Sequence, residues 1–242
     1  MSLARTASSA MILMAVVGLA ACKKTATTDL PVAADTTAVD MDGNLYRTVR
    51  IGDQVWMAEN LRTTRYRNGD SIAHVSDNAA WAPLTTPAYC WYRNDGTTFG
   101  KTYGALYNWF AADSAGNSNR NICPAGWHIP TATEWTTLTT HLGGIDVAGG
   151  KMKEAGTAHW LAPNTGATNE SGFSGLPGGY RGYTSGAFDN VGLFGHWWSS
   201  TPSDASQAWG EGLFALEAPA NHSPSVKANG FSVRCVKDGV AR

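Results

Sequence analysis

Apolar and polar residues alternate along residues 44–61, and the alternation is interrupted at Gly52-Asp53. This pattern predicts two short antiparallel strands joined by a tight turn. Further strands are predicted from similar patterns at residues 89–95, 196–201, 208–217 and 230–238.

The last predicted strand carries apolar residues at every second position. Phe231, Val233 and Cys235 share one face, whereas Arg234 and Lys237 are available to solvent. Because successive side chains of a strand point to opposite faces, we expect the apolar face to lie against the core.

Two helices are predicted. Thr131 is followed three residues later by Glu134, which is the spacing of a capping box at a helix start. An apolar face then continues over 132–142, and Gly143 ends the helix. The sequence therefore assigns Glu134 to its helix end and not to catalysis. Residues 103–112 are apolar nearly all round, which is typical of a helix buried on most sides.

Residues 145–196 are rich in Gly, Asn, Ser and Pro and show little periodicity. Segments of this kind are usually functional or disordered, and the aromatic residues within this one argue against disorder. Aromatic rings suit ligand recognition by stacking, although the same rings also serve as packing for the loops. The candidate ligand-binding residues are Trp160, Asn164, Asn169, Glu170, Tyr180, Arg181 and Tyr183.

The N-terminus carries an apolar run over residues 11–21, which is too short to span a bilayer. It predicts a secretory signal peptide over residues 1–21. The end of this segment and the next residue, Leu19-Ala20-Ala21-Cys22, resemble a bacterial lipoprotein box, which implies that Cys22 is lipidated. The alternative is an ordinary signal peptide with a chance cysteine. Residues 22–41 contain no aromatic side chain and are expected to form a flexible tether.

The composition points to one domain, residues 42–238, in which aromatic packing holds many loops. The chain has 27 glycines and 10 tryptophans, and only 15% of its residues are charged. Its net charge of −1 and the absence of a basic stripe argue against nucleic acid as a partner. With Cys22 assigned to lipid, Cys90, Cys123 and Cys235 allow three single pairings in an oxidising compartment.

Seven ordered blocks carry a family resemblance. They are GDQVWMAENLR, YCWYRND, YGALYNWFAA, CPAGWHIPTATEW, GFSGLPGGYR, WWSST and SVRCVKD. Together they resemble the Fibrobacter succinogenes major paralogous domain over residues 42–238. The function of that family is largely uncharacterised, and many of its members look like exported lipoproteins.

A more distant likeness reaches the formylglycine-generating enzymes and C-type lectins, through IPTATEW, WWSST and GFSVRC. It implies an α+β fold of short antiparallel strands, two helices and long loops. In that fold the last strand returns to the starting edge of the domain, which implies a Cys123–Cys235 disulfide with Cys90 as a buried thiol. Cys90–Cys235 is the rival pairing, since residues 89–92 could form a strand beside the last one.

The active-site motifs of these relatives are missing. No close cysteine pair matches the redox cysteines of the formylglycine-generating enzymes, and the calcium-binding motifs of sugar-binding lectins do not recur. The six histidines show no HExxH or other ligand spacing, so we expect neither a metal nor a cofactor.

We therefore expect a non-catalytic binding module of the cell envelope, anchored to the outer membrane. Its expected partners are the lipid bilayer, through Cys22, and a polysaccharide or another surface polymer or protein. One alternative is an enzyme of glycan hydrolysis or modification whose site uses Asp189, Glu211 and Glu217. The other is a structural envelope component with no small ligand.

Overall fold

The computed structural model describes residues 37–113, 115–116 and 118–239, together with residue 1. Residues 37–239 lie in one compact unit, Pro31–Arg242. The expected cleavage region, Cys22 and the tether up to residue 36 lie outside the described residues. Within the described part of the chain, no helix combines the length and apolar character that crossing a membrane requires.

The strands are mostly short and are separated by loops. They are β1 (Ala38–Val39), β2 (Leu45–Tyr46), β3 (Thr48–Ile51), β4 (Gln54–Met57), β5 (Ala73–His74), β6 (Ala88–Trp91), β7 (Ala105–Tyr107), β8 (Trp127–His128), β9 (Tyr180–Arg181), β10 (Phe188–Asp189), β11 (Phe194–Pro202), β12 (Gln207–Phe214), β13 (Asn221–Val226) and β14 (Val236–Lys237). The helices are α1 (Asn78–Trp81), α2 (Phe99–Tyr103), α3 (Trp109–Ala112), α4 (Ala132–His141) and α5 (Ile145–Met152), and Tyr92–Asn94 form a 3₁₀ turn.

The strands form several small sheets, so the domain is of the α+β class. One sheet has the order β3-β4-β14-β8, another β11-β12-β13 and a third β5-β6-β7. The pairs β1–β2 and β9–β10 each form a separate two-stranded sheet. All pairings within these sheets and pairs are antiparallel except that of β5 with β6. The predicted hairpin is confirmed, since Ile51 pairs with Gln54 across Gly52-Asp53.

The prediction of one helix over residues 103–112 is confirmed only at its ends, where α2 stops at Tyr103 and α3 covers Trp109–Ala112, and it is wrong between them. This run contains β7, which pairs with β6 along its whole length. Gly104 has a φ of +80° and separates β7 from the preceding helix, and Asn108 caps the short helix α3 that follows. A buried apolar run fits a helix or a strand equally well by periodicity, and here the neighbouring strand decides.

Helix α4 begins at the predicted capping box. The Thr131 hydroxyl accepts a hydrogen bond from the Glu134 amide at 3.2 Å, and the Thr131 amide donates to Glu134 Oε2 at 2.8 Å. Sequence periodicity missed the next helix, α5, in which the Gly149-Gly150 pair lies close to neighbouring loops. A Cβ at Gly149 would approach the Pro219 carbonyl oxygen to 2.5 Å.

Tryptophan rings join the helices to the sheets. Trp135 of α4 packs on Trp56 of β4 with ring centroids 4.7 Å apart. Phe173 contacts both rings edge-on at 5.9 Å and reaches Trp197 of β11 at 5.8 Å. Each buried aromatic side chain removes a large apolar area from water, so this cluster stabilises a domain with little regular structure.

The Cys123–Cys235 disulfide is present, with Cα atoms 6.0 Å apart, and Cys90 is a buried free thiol. The rival pairing is wrong because β14, next to Cys235, pairs with β4 and β8 and not with β6. The bridge ties the C-terminal strand to the segment that precedes α4.

Arg234 is fully buried, so its predicted place at the solvent is wrong. Its guanidinium donates to Asn60 Oδ1 and to the Phe173 carbonyl oxygen, and it lies 4.1 Å from the Phe173 ring centroid. Lys237, by contrast, is exposed as predicted. Around Arg234 both faces of the terminal segment are covered by other loops, so alternation along it does not separate core from solvent.

Candidate functional site

An aromatic cleft of 750 Å³ lies between the 180–189 segment and the ends of β11, β12 and β13. Its aromatic lining residues are Tyr180, Tyr183, Phe194, His196, Phe214 and Phe231. This volume is within the range of small-molecule sites, which are mostly apolar with a few polar groups.

The floor of the aromatic cleft is a stack of rings. His196 lies parallel to Phe231 with centroids 4.7 Å apart, and Phe194 meets Phe214 edge-on at 5.0 Å. Alternation along β11 sends Trp197 into the core and leaves Phe194 and His196 on the cleft side. Burial lowers the pKa of His196 to about 4, so its ring is neutral at pH 7 and the floor carries no charge.

The rim of the aromatic cleft is exposed and mixed in character. Tyr183 is 45% exposed and Leu216 is 63% exposed. The carboxylates of Asp189 and Glu217 also line the rim and are exposed. Asn229 accepts a hydrogen bond from the Tyr183 amide at 3.0 Å, which holds the tyrosine backbone beside the opening. An aromatic face and several polar groups are thus available to one ligand.

Arg181 fastens the 180–189 segment, which we call the lip, to the body of the domain. Its guanidinium donates to the carbonyl oxygens of Gly186 at 2.7 Å, Val75 at 2.6 Å and Ser76 at 2.9 Å, and to Asn78 Oδ1 at 2.9 Å. Arg181 is fully buried, with its guanidinium stacked 4.5 Å from the Trp81 ring and 4.7 Å from the Phe188 ring. The planar fork of arginine suits such a set of acceptors.

A buried lysine fixes the opposite wall. Lys153 Nζ donates to the carbonyl oxygens of Thr165 and Phe214, both at 2.8 Å, and of Glu217 at 2.6 Å. Two of these three carbonyls belong to residues that line the cleft. Two buried cations, Arg181 and Lys153, therefore position the two walls.

The structure brings only part of the predicted ligand-binding set to this cleft. Tyr180 and Tyr183 line it directly, whereas Arg181 supports it from behind. Trp160 is buried and donates from Nε1 to the Gly175 carbonyl oxygen at 2.9 Å. Asn164 is buried too, and its side-chain amide binds loop carbonyls.

The remaining two predicted residues lie elsewhere. Asn169 lines a second cleft and bonds to the Ser174 amide at 2.8 Å. Glu170 is exposed and pairs with Lys151, with Nζ and Oε1 2.8 Å apart. The seven residues therefore do not form one surface.

Sequence reasoning missed the floor of the cleft. Phe194 and His196 stand two residues apart on β11, and strand alternation was a usable signal for them. No local signal indicated that Phe214 and Phe231 would meet them, because these residues come from distant strands and loops.

The three carboxylates that were candidates for a catalytic site do not all lie in the aromatic cleft. Asp189 and Glu217 line the aromatic cleft. Glu211 is buried outside it and pairs with His222, with Oε2 and Nδ1 3.1 Å apart. Burial raises the pKa of Glu211, while the hydrogen bond with His222 opposes that shift. The described residues contain no group of three or more His, Cys, Asp or Glu side chains arranged to hold a metal ion.

Comparison with known proteins places the chain in a family. Neither the curated proteins nor the solved structures gave a match. The family model described as the Fibrobacter succinogenes major domain matches residues 49–237, which is most of the chain. The match includes all the residues that line the aromatic cleft. The chain therefore belongs to the Fibrobacter succinogenes major domain family.

Proposed function

We propose that this chain is a cell-envelope lipoprotein whose domain binds polysaccharide, or another surface polymer, without catalysing a reaction. The observation that carries the proposal is the aromatic cleft, in which a neutral ring floor lies beneath an exposed tyrosine and a polar rim. An exported binding module needs such a concave surface, and it needs no catalytic group.

The chemistry of the cleft suits a sugar chain. Aromatic faces pack against the apolar faces of sugar rings, and tyrosine adds a polar hydroxyl. Asn229, Asp189 and Glu217 offer acceptors or donors for the sugar hydroxyls. Because the walls are held by Arg181 and Lys153, the site is largely preformed, which lowers the entropy cost of binding.

Two further parts of the proposal rest on resemblance. Lipidation of Cys22 would tether a domain of residues 42–238 to the outer membrane through a flexible segment. A C-type-lectin-like fold would agree with the short strands, the long loops and the ligand cleft between them. Cys22→Ser should release the protein from the membrane fraction, and mass spectrometry of the mature N-terminus should find lipid on Cys22. An unmodified N-terminus at another residue would remove the anchor.

Binding is tested with a glycan panel and the full-length protein in a non-ionic detergent. We expect Tyr183→Ala to weaken binding of the best neutral glycan about tenfold, which corresponds to about 1.4 kcal/mol and to the loss of one stacked ring. Tyr183→Phe keeps the ring and should retain most of the affinity, and Leu161→Ala is a matched truncation of an exposed side chain outside the cleft. Unchanged binding by Tyr183→Ala, or no binding of any neutral glycan, would refute the aromatic cleft as the polysaccharide site.

A second candidate function is glycan hydrolysis, and it is favoured by the presence of two carboxylates, Asp189 and Glu217, in one cleft. The same glycans should then be cleaved during the binding assay, and Asp189→Asn or Glu217→Gln should abolish cleavage while binding persists. Intact glycans after prolonged incubation would contradict hydrolysis and leave binding as the single proposed function.

A further inference from the structure

A second concavity, which we call the polar cleft, has a volume of 430 Å³. Its charged and ionisable lining residues are Arg47, Glu59, Arg62, Lys101, Glu154 and His159. It shares no lining residue with the aromatic cleft, so the two sites are separable by mutation.

Both carboxylates of the polar cleft already have partners. Glu59 Oε1 lies 2.8 Å from Arg47 Nε, and Glu59 Oε2 accepts from the Arg47 amide at 3.1 Å. Glu154 pairs with His159, whose Nδ1 is 2.9 Å from Oε2. Both negative charges are therefore paired with side chains of the protein. Among the described contacts of His159, the hydrogen bonds to Glu154 use Nδ1, so Nε2 is available to a ligand.

Arg62 is a preoriented cation at this cleft. Its Nη2 donates to the Leu45 carbonyl oxygen at 2.9 Å, its Nε donates to Asn44 Oδ1 at 3.3 Å, and its guanidinium lies 4.8 Å from the Tyr46 ring centroid. None of these partners is a carboxylate. The side chain of Lys101, on α2, forms no ion pair or hydrogen bond among residues 37–113, 115–116 and 118–239. Within that part of the chain, two cations of the polar cleft thus lack anionic partners.

A third cation reinforces the positive potential from behind the wall. Asn60 lines the polar cleft, and its Oδ1 accepts from Arg234 Nη2 at 2.9 Å. Arg234 is fully buried and has no carboxylate within ion-pair distance in the described part of the chain. Burial lowers the pKa of Arg234 to about 9, with Glu59 opposing that shift, so the guanidinium is charged at pH 7. A fixed charge in a low-dielectric wall acts strongly on a ligand nearby.

A half-buried ring stands next to these cations. Arg62 and Lys101 also line an adjoining open cleft, together with Trp91 and Asp42. The Asp42 carboxylate is already paired with Arg65, with Oδ1 and Nε 3.3 Å apart. Indole faces suit sugar rings, and guanidinium groups suit carboxylate and sulfate oxygens. Excess positive charge beside an aromatic ring is the combination that an acidic sugar requires.

We propose that the polar cleft binds an acidic saccharide, with Arg62 and Lys101 holding its carboxylate or sulfate group. His159 and Glu154 provide hydrogen bonds for sugar hydroxyls on the same ligand. The overall charge of the chain is −1, so this positive cleft is a local feature and not a consequence of a basic protein. The inference goes beyond the proposed function, because it assigns a second site with its own ligand class.

The experiment compares three hexasaccharides on the full-length protein: a galacturonate oligomer with carboxylates, a κ-carrageenan oligomer with sulfates, and neutral maltohexaose. We expect at least one acidic oligomer to bind more tightly than maltohexaose, with affinity that falls as salt rises. Arg62→Ala should weaken acidic binding about tenfold and Lys101→Ala about threefold. Lys237→Ala removes an exposed cation outside the cleft and should have no effect.

The outcomes separate this site from the aromatic cleft. Weaker acidic binding in Lys101→Ala but not in Tyr183→Ala supports the inference, and preference for one acidic oligomer identifies the oxyanion. The inference is overturned by the reverse dependence, by equal binding of maltohexaose and the acidic oligomers to the Tyr183→Ala variant, or by unchanged acidic binding in both Arg62→Ala and Lys101→Ala. Because Lys101 is exposed and has no described partner, its variant stays informative if Arg62→Ala fails to fold. If only the neutral glycans fail to bind, the aromatic cleft is removed as a polysaccharide site and the inference about the polar cleft stands.

Discussion

Replacing Arg181 with lysine tests whether a buried guanidinium positions the lip of the aromatic cleft. Arg181→Lys keeps the positive charge but removes the planar fork. In the structure that fork joins the Gly186 carbonyl of the lip to Val75, Ser76 and Asn78 of the domain body. The four hydrogen bonds leave from three nitrogens, Nε, Nη1 and Nη2, and the single ammonium nitrogen of a lysine cannot take all three places.

The magnitude follows from the number of hydrogen bonds. Arg181 makes four of them while fully buried, and a lysine that keeps half of them loses two. Each hydrogen bond to a charged group contributes about 1.5–3 kcal/mol, so we expect the free energy of unfolding to fall by roughly 3 kcal/mol or more. The stacking on Trp81 and Phe188 adds to the loss.

The assay is urea unfolding followed by tryptophan fluorescence, with amide hydrogen exchange as a local readout. The Gly182 amide donates to the Ala187 carbonyl oxygen at 2.8 Å within the lip, and its exchange should accelerate more than exchange in α4. Arg47→Lys is the matched control. Its side chain is 74% exposed with one ion pair, so it should cost less than about 1 kcal/mol.

The reasoning would be refuted if the free energy of unfolding of Arg181→Lys lay within about 0.5 kcal/mol of the parent value, as is usual for a surface substitution. It would also be refuted if stability fell while exchange in the lip was unchanged, because the guanidinium would then support the core and not the lip. Glycan affinity should fall in the variant even where it remains fully folded.

Three further changes test the packing of the domain. Thr131→Ala removes the cap of α4 and should lower the free energy of unfolding by about 1 kcal/mol. The double variant Cys123→Ser/Cys235→Ser opens a link across 112 residues and should cost roughly 5 kcal/mol in the chain-entropy model. His128→Gln should destabilise the protein more at about pH 6 than at about pH 9, because the hydrogen bond with Glu134 raises the pKa of His128.

The sign of the histidine effect is set by the raised pKa. The contribution of His128 is fully present below its unfolded pKa of about 6.5 and is lost as the pH rises through the folded value. Chemical unfolding at each pH measures it, and a larger effect at high pH would contradict the assignment. Thr131→Ser keeps the hydroxyl and serves as the control for the cap, and a Thr131→Ala variant as stable as the parent would contradict the capping role. Non-reducing peptide mapping checks the disulfide, and equal stability of the double variant would contradict its role.

Local signals in the sequence determined the elements that depend only on near neighbours. The capping box needs Thr131 and Glu134 three residues apart, and both hydrogen bonds form within one helical turn. The hairpin of β3 and β4 follows from alternation on both sides of a two-residue turn. Such features are encoded over a few positions, so they were predictable without the rest of the fold.

The disulfide could be predicted only with the help of the family resemblance. Residue types alone left three pairings of Cys90, Cys123 and Cys235 open, and the resemblance to lectin-like folds implied the one that is present. The run 103–112 shows the opposite outcome. Its apolar residues fit a buried helix, but β6 supplies hydrogen-bond partners to β7, and a strand forms.

Only the tertiary structure decided the buried cations and the clefts. Arg234 alternates with apolar neighbours and was expected at the solvent, yet Asn60 and Phe173 come from segments 174 and 61 residues away to satisfy it. Arg181 was expected to bind a ligand and instead binds loop carbonyls more than 100 residues distant. An arginine has a long apolar stem and a donor fork, so it suits solvent, a ligand or a buried carbonyl cage. Its environment depends on which loops the chain brings together, and no local pattern records that.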